Sequence, residues 1–141
     1  MNKEKENSCI FCKIANGTIP CYKVYEDNYV IAFLDVNPAS RGHTLVVCKE
    51  HFDSMVTCPK DILDKMFEVA QLIAQAQVAQ LGATGANIIT NVGKSAGQSV
   101  KHFHVHVIPR YDNDGLKLEF PPKQLTSGEM ESVVDKIQKG M

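Results

Sequence analysis

The most regular alternation of polar and apolar residues in this 141-residue chain lies between positions 102 and 107. Side chains of a β-strand point alternately to its two faces, and residues two apart are separated by about 6–7 Å. The pattern therefore predicts a strand with one histidine-bearing face: His102, His104 and His106. The opposite face is expected to pack against a core: Phe103, Val105 and Val107.

Four earlier segments also predict strands. Each is rich in β-branched, aromatic or other apolar residues and lies near turn-forming residues. These segments are residues 22–26, 29–36, 42–49 and 86–92.

A helix of about 20 residues is predicted between the third and fourth of these segments. Pro59 suits its first turn, where a missing N–H is no loss, and Asp61 suits its positive end. Apolar residues then recur at helical spacing until Gly82 provides the stop: Ile62, Met66, Val69, Ile73 and Ala76. A short helical turn is predicted over residues 9–14 and a final helix over residues 127–139.

Hairpin-like strands beside one long helix, without regular β-α-β alternation, indicate an α+β fold. We expect a mostly antiparallel five-stranded sheet, one long helix and a shorter C-terminal helix. Residues 9–141 are expected to form a single domain, preceded by a disordered tail over residues 1–8.

Composition narrows the possible partners. The formal net charge is −1 and no block of Lys or Arg is present, which argues against nucleic acid as the main partner. The charged N-terminus lacks an apolar core and no apolar run approaches 18 residues, so neither a signal peptide nor a membrane span is expected. Five cysteines without a secretion signal predict a cytoplasmic protein with reduced or metal-bound thiols.

The loop directly before the histidine strand, residues 91–99, contains two glycines and several small polar residues. Such a loop brings backbone N–H groups close to a ligand. An imidazole that attacks phosphorus needs donors for the phosphoryl oxygens, and Asn91, Gly97 and Ser99 are suitable in type and position.

A second motif is Cys9-x-x-Cys12. This is the spacing of zinc ligands, but a closed tetrahedral site needs two more ligands. A redox dithiol has the same spacing, although the β-α-β pattern expected with it is absent. Two incidental cysteines are the third interpretation.

Residues 102–108 resemble the histidine triad (HIT) motif, in which histidines alternate with apolar residues. Other segments resemble that family in the same order: residues 9–14, 17–20, 24–27, 32–35, 38 and 42–47. The likeness covers roughly residues 9–110 and implies a nucleotide hydrolase. Such an enzyme cleaves at the α-phosphate of nucleoside phosphoramidates or related nucleotidyl compounds, and a purine is the expected base.

The resemblance also implies residue roles. His104 would be the nucleophile, forming a nucleotidyl-histidine intermediate that water cleaves. His106 would contact the phosphate, His43 would complete the surroundings of the triad, and Ser99 would assist the leaving group. Asp35 would accept hydrogen bonds from the ribose hydroxyls. The other expected nucleotide contacts are Asn91 and the Gly97 backbone near the phosphate, Gln98, and Ile10, Phe11 and Phe33 in the base pocket.

Bacterial members that the chain resembles carry a zinc site at the positions of Cys9, Cys12, His51 and His102. Four protein ligands leave no open coordination position, so this zinc would be structural. No organic cofactor is implied. Family members are typically homodimers, and the same assembly is expected here. The other cysteines are expected to be inert: Cys21, Cys48 and Cys58.

Alternatives remain open at this stage. Residues 101–110 also resemble members that hydrolyse dinucleoside polyphosphates, so the leaving group is either an amine or a phosphate. A nucleotide-binding regulatory protein with vestigial hydrolysis belongs to a different class, and the intact triad argues against it. A zinc-dependent nucleic-acid binder is disfavoured by the charge.

Overall fold

A computed structural model describes residues 8–141. In chain order the elements are α1 (Ile10–Ala15), β1 (Lys23–Glu26), β2 (Val30–Leu34), β3 (Thr44–Cys48), α2 (Lys60–Leu81), β4 (Gly85–Ile89), β5 (His104–Arg110) and α3 (Ser127–Lys139). Short 3-10 turns occupy Met55–Thr57 and Lys94–Ala96. Apart from Ser8, the predicted N-terminal tail lies outside the described residues.

The five strands form one antiparallel sheet in the order β1-β2-β3-β5-β4. The predicted α+β class and five-stranded antiparallel sheet are confirmed. β5 lies between β3 and β4, and its register places His104 opposite Val47 and His106 opposite Leu45. The histidine strand is therefore internal to the sheet, where its backbone is paired on both sides.

Hydrophobic residues cover both faces of the sheet. On one face α2 packs against β2, β3 and β5, and this core includes Phe103, Val105 and Val107, each at most 1% exposed. On the other face α1 contributes Phe11 and Ile14 to a second, smaller cluster. The predicted apolar face of the histidine strand is thus confirmed, and the histidines lie on the side of α1.

The sequence signals for the long helix correspond to its observed ends. Pro59 caps α2, Asp61 lies in its first turn, and Gly82 adopts a left-handed conformation (φ 74°) that ends it. Inside the helix, the buried Gln77 amide donates to the carbonyls of Gly42 and Val107 at 3.1 Å each. These two hydrogen bonds join α2 to β5 and to the segment just before β3.

The predicted histidine strand was too long at its N-terminal end. β5 begins at His104, and His102 lies in a bend before it. The reason is a change of backbone partners: the N–H of His102 donates to Val100 O at 2.9 Å, and the N–H of Phe103 donates to Phe52 O at 2.7 Å. His102 is consequently directed away from the sheet ladder and toward α1.

None of the helices in residues 8–141 has both the length and the apolar character needed to cross a membrane.

Candidate functional site

Three imidazoles meet on the α1 side of the sheet. His104 and His106 project from β5 with ring centroids 5.1 Å apart. His43 lies one residue before β3, and its ring centroid is 5.2 Å from that of His106. Thus the structure brings together the three histidines for which the sequence predicts chemistry at a phosphate.

The hydrogen-bond partner of His104 defines its tautomer. Its Nδ1 lies 2.6 Å from the carbonyl oxygen of His102. A carbonyl oxygen only accepts, so Nδ1 carries the hydrogen and the neutral ring has a lone pair on Nε2. His104 is 7% exposed, and the cleft reaches it. The residue is therefore a neutral imidazole at the cleft with a lone pair on Nε2.

A chain of hydrogen bonds defines the tautomers of the other two rings. The N–H of Ala39 donates to His43 Nδ1 at 3.0 Å, which leaves the hydrogen of this ring on Nε2. His43 Nε2 then donates to His106 Nδ1 at 2.9 Å. Because His106 Nδ1 accepts, its own hydrogen is on Nε2, where it can be donated to an anionic group.

Burial keeps these imidazoles neutral. It lowers the pKa of His43 against the opposing effect of Asp35, and the pKa of His104 against the opposing effects of the His102 carbonyl and Asp35. It lowers the pKa of His106 to about 4, with smaller contributions from the nearby His104 and His43. All three rings are thus predominantly uncharged at neutral pH.

A second constellation lies beside the first. The Sγ atoms of Cys9 and Cys12 are 3.3 and 3.4 Å from Nδ1 of His102, and Cys12 Sγ is 3.2 Å from Nδ1 of His51. The two Nδ1 atoms are 3.1 Å apart. All four ligand atoms lie within 4.8 Å of one another. These are the four residues for which the resemblance implies zinc.

Whether a metal fits this cluster depends on which ring nitrogen of each histidine carries the hydrogen. His102 Nε2 donates to the carbonyl of Cys48 at 2.7 Å, and His51 Nε2 lies 3.1 Å from Asp53 Oδ1. Both hydrogens are therefore held on Nε2, and both Nδ1 lone pairs point inward. Two facing lone pairs and two thiols suit a cation, and tetrahedral zinc separates such donor atoms by about 3.3–3.8 Å.

Another group of potential metal ligands has its ligand atoms within 4.8 Å of one another: Asp35, His43 and His106. The position of the hydrogen on His43 separates this group from the cysteine–histidine cluster. Here the N–H of Ala39 donates to His43 Nδ1, so the hydrogen resides on the nitrogen that a metal would need. A neutral His43 would have to lose that hydrogen bond to become a ligand. This group is accordingly a hydrogen-bonded relay rather than a metal centre.

A cleft of about 380 Å³ opens onto His104 and His106. Its walls include the predicted base-pocket residues Ile10, Phe11 and Phe33, and Asp35 and Ser99 also line it. Phe11 is 7% exposed, and its ring packs edge-on against His104 with centroids 4.9 Å apart. The volume lies within the range of small-molecule sites.

The residues of the loop before β5 that are predicted to contact the nucleotide differ in exposure and in hydrogen bonding. Ser99 is exposed and lines the cleft. The N–H of Gly97 donates to Lys94 O at 3.0 Å, and Asn91 lies half-buried beyond β4. Gln98 accepts from the Gly93 N–H at 2.9 Å and donates to the carbonyls of Asp53 and Val100. The Gln98 side chain therefore shapes the loop, and a contact from it to a nucleotide stays a prediction.

The sequence did not predict the two groups that hydrogen-bond the histidines of the cluster, Asp53 and the Cys48 carbonyl. Asp53 follows His51 by two residues, a short-range signal that was available. The Cys48 carbonyl that holds His102 is 54 positions away and carries no side-chain signal. Burial raises the pKa of the Cys48 thiol to about 12, in agreement with the expected inertness of this cysteine.

The sequence of this chain is similar to those of known proteins. The HIT domain family matches residues 16–113. An uncharacterized HIT-like protein of Methanocaldococcus jannaschii is 47% identical over 79% of this chain and 86% of that protein. An adenylylsulfatase of Arabidopsis thaliana is 40% identical over 79% of this chain and 56% of its own length.

Solved structures agree with the fold. A HIT family protein from Bacillus anthracis superimposes with a TM-score of 0.89 at 40% identity, over 96% of this chain and 98% of that one. A zinc-bound histidine triad protein from Mycobacterium smegmatis gives 0.77 at 36% identity, with coverages of 96% and 99%. A histidine triad nucleotide-binding protein from Candida albicans gives 0.82 at 31% identity, with coverages of 94% and 96%.

Proposed function

Because this chain belongs to the HIT domain family, a superfamily of nucleotide-binding proteins and hydrolases, we propose that it hydrolyses nucleoside phosphoramidates or related nucleotidyl compounds at the α-phosphate. The observation that carries this proposal is the tautomer of His104, whose Nε2 lone pair is held at a nucleotide-sized cleft. A protein that only bound nucleotides would not need an oriented, neutral nucleophile in this position.

In the first step the Nε2 lone pair of His104 forms a bond to the α-phosphorus as the bond to the leaving amine breaks. The amine takes the electron pair of the broken bond, together with a proton from the Ser99 hydroxyl. Negative charge increases on the phosphoryl oxygens, and His106 Nε2–H is the donor that faces them. His106 Nε2 carries the hydrogen because His106 Nδ1 accepts a hydrogen bond from His43 Nε2.

In the second step water attacks the phosphorus of the nucleotidyl-histidine. The bond from phosphorus to His104 Nε2 breaks, the imidazole recovers its lone pair, and the proton released by water restores the Ser99 hydroxyl. The products are the nucleoside monophosphate and the free amine. Two substitutions at a histidine replace one difficult attack by water.

The same proposal assigns the nucleotide-binding residues. Asp35 would accept from the ribose hydroxyls; its Oδ1 already accepts the Asn37 N–H at 2.8 Å, and its Oδ2 is 3.7 Å from His43 Nε2. Ile10, Phe11 and Phe33 would form the base pocket. Gly97 and Asn91 stay as candidate contacts near the phosphate, and the hydrogen bond from the Gly97 N–H to Lys94 would have to open for that N–H to bind an oxygen.

We also propose that Cys9, Cys12, His51 and His102 hold a structural zinc ion. Supporting observations are the convergence of the four ligand atoms and the occupied Nε2 positions of both histidines. Zinc would tie α1 to the segment before β5, and four protein ligands would leave it without an open position for substrate. The catalytic steps above therefore depend on protein side chains.

Assembly as a homodimer completes the proposal. Exposed apolar residues form one stripe of α3, with side chains 44–59% exposed, which is consistent with association: Met130, Val133, Val134 and Ile137. Light scattering tests this directly, because a dimer has twice the 15.6-kDa chain mass. A mass of one chain at working concentration would rule the dimer out.

The activity itself is tested by comparing kcat/KM for an adenosine 5′-phosphoramidate with that for diadenosine triphosphate. The proposal predicts that the phosphoramidate is the better substrate. Faster turnover of the dinucleotide would assign the chain to the HIT proteins that hydrolyse dinucleoside polyphosphates. Absence of turnover of both compounds would contradict the hydrolase assignment.

A further inference from the structure

A second groove of about 400 Å³ adjoins the nucleotide cleft. Three residues line both cavities, so the two lie side by side: Ile10, Ser99 and Val100. The groove is also lined by Ser8, Asp53 and Lys101, and by Cys9 and His51 of the cysteine–histidine cluster. None of the steps described above uses Lys101.

The position of Ser99 gives the groove an orientation. An in-line displacement expels the leaving group on the side of phosphorus opposite to His104, and Ser99 is the residue assigned to protonate it. The space beyond Ser99 is therefore where the remainder of the leaving group lies. We propose that this groove is a leaving-group site and that Lys101 selects a leaving group with a single carboxylate, as in an amino acid linked through its nitrogen to the nucleotide. This inference rests on the proposed function.

The charges around the two cavities limit the ligand. Among the described residues that line them, Lys101 is the only lysine and there is no arginine, whereas Asp35 and Asp53 are acidic. A polyphosphate chain would bring several negative charges toward one cation and one nearby carboxylate. A single carboxylate needs only one cation, so the charge balance favours an amino-acid leaving group over a polyphosphate.

The other contacts of the groove agree with a small polar group on a short carbon skeleton. Asp53 already interacts with His51 at 3.1 Å, so its carboxylate is engaged on the cluster side. Ile10 is 48% exposed and, with Val100, offers apolar contact on the side shared with the nucleotide cleft. Lys101 is exposed, which gives its ammonium the freedom to reach a carboxylate.

The test uses two adenosine 5′-phosphoramidates, one carrying glycine and the other glycinamide, which lacks the carboxylate charge. For Lys101→Ala we expect kcat/KM to fall about fivefold for the glycine compound and to stay within about twofold for the glycinamide compound. Lys101→Glu should lower kcat/KM for the glycine compound further than Lys101→Ala does. Lys94→Ala is the matched control, since Lys94 is also exposed in the same loop but does not line the groove.

Three results separate the possible failures. Equal effects of Lys101→Ala on both compounds, or no effect on either, would overturn the leaving-group site and leave the hydrolase assignment intact. A loss confined to adenosine 5′-diphosphate, whose leaving group is phosphate, would overturn the choice of a carboxylate. Absence of turnover of every compound by the wild-type protein would overturn the proposed function and this inference together.

Discussion

The carbonyl oxygen of His102 accepts the Nδ1 hydrogen of His104 at 2.6 Å. The ring of the same His102 has its Nδ1 within 3.4 Å of both Cys9 and Cys12. One residue therefore joins the cysteine–histidine cluster to His104, through its side chain on one side and its backbone on the other. The cluster fixes the segment that orients His104.

This connection predicts that metal removal affects catalysis although the metal is not a reactant. If the four residues hold zinc as proposed, chelation should lower the melting temperature by about 10 °C or more, because the ion would link α1 to the segment before β5. The value of kcat should decrease about 10- to 100-fold, as for loss of a supporting shell. Thermal unfolding and steady-state kinetics before and after zinc is restored measure both effects. An unchanged melting temperature in the metal-free protein would contradict the structural role.

Asp53 should determine how tightly the metal is held. Its Oδ1 is 3.1 Å from His51 Nε2, so it orients the ring with Nδ1 toward the cluster. Replacement by alanine should weaken zinc affinity about 10- to 100-fold in a competition titration with a chromophoric chelator. Asp64→Ala is a matched control, because Asp64 makes an exposed ion pair with Lys60 on α2. Equal affinities in the two variants would argue against this contact.

Asp35 should distinguish ribonucleotides from deoxyribonucleotides. A carboxylate that accepts from ribose hydroxyls strengthens binding of a ribonucleotide, and an analogue without the hydroxyl loses that bond. We expect the wild-type protein to bind adenosine monophosphate about tenfold more tightly than its 2′-deoxy or 3′-deoxy analogue. In Asp35→Ala this preference should disappear. Calorimetric titrations give the ratios, and a preference retained in the variant would place the ribose elsewhere.

The buried triad should make the fold less stable in acid. An unfolded histidine titrates near pH 6.5, whereas burial, helped by His104 and His43 and opposed by Asp35, lowers the pKa of His106 to about 4. Between these values the unfolded chain binds more protons, so this contribution raises stability as the pH rises from about 4 to 6.5 and is constant above that range.

Melting temperatures of the zinc-loaded protein between pH 4.5 and 8 measure this effect. The difference between pH 5 and pH 7.5 should be smaller in His106→Gln, because the amide does not titrate. An identical pH dependence in the variant would exclude His106 as a source of the acid sensitivity.

Much of this architecture was predictable because its signals are local. The spacing of apolar residues from Ile62 to Ala76, together with Pro59 and Gly82, located α2 to within one residue at its start. The alternation after His102 located β5, because period two is visible in the sequence alone.

Other features depend on contacts between distant segments. The strand begins at His104 rather than His102 because the Phe103 N–H pairs with Phe52, a tertiary contact without a sequence pattern. Similarly, the tautomer of His43 is defined by the backbone of Ala39. Residue types predicted the candidate reactive groups, while their protonation states required the folded geometry.

The most direct test of the proposed chemistry is the covalent intermediate. Wild-type protein mixed rapidly with an adenosine 5′-phosphoramidate and quenched without strong acid should carry one adenylyl group, located on His104 by mass spectrometry. His104→Ala should carry none and lose at least about 10³-fold in kcat, while its affinity for adenosine monophosphate stays within a few-fold. An adenylyl group on another residue, or turnover by His104→Ala near the wild-type rate, would contradict the assignment of His104 as the nucleophile.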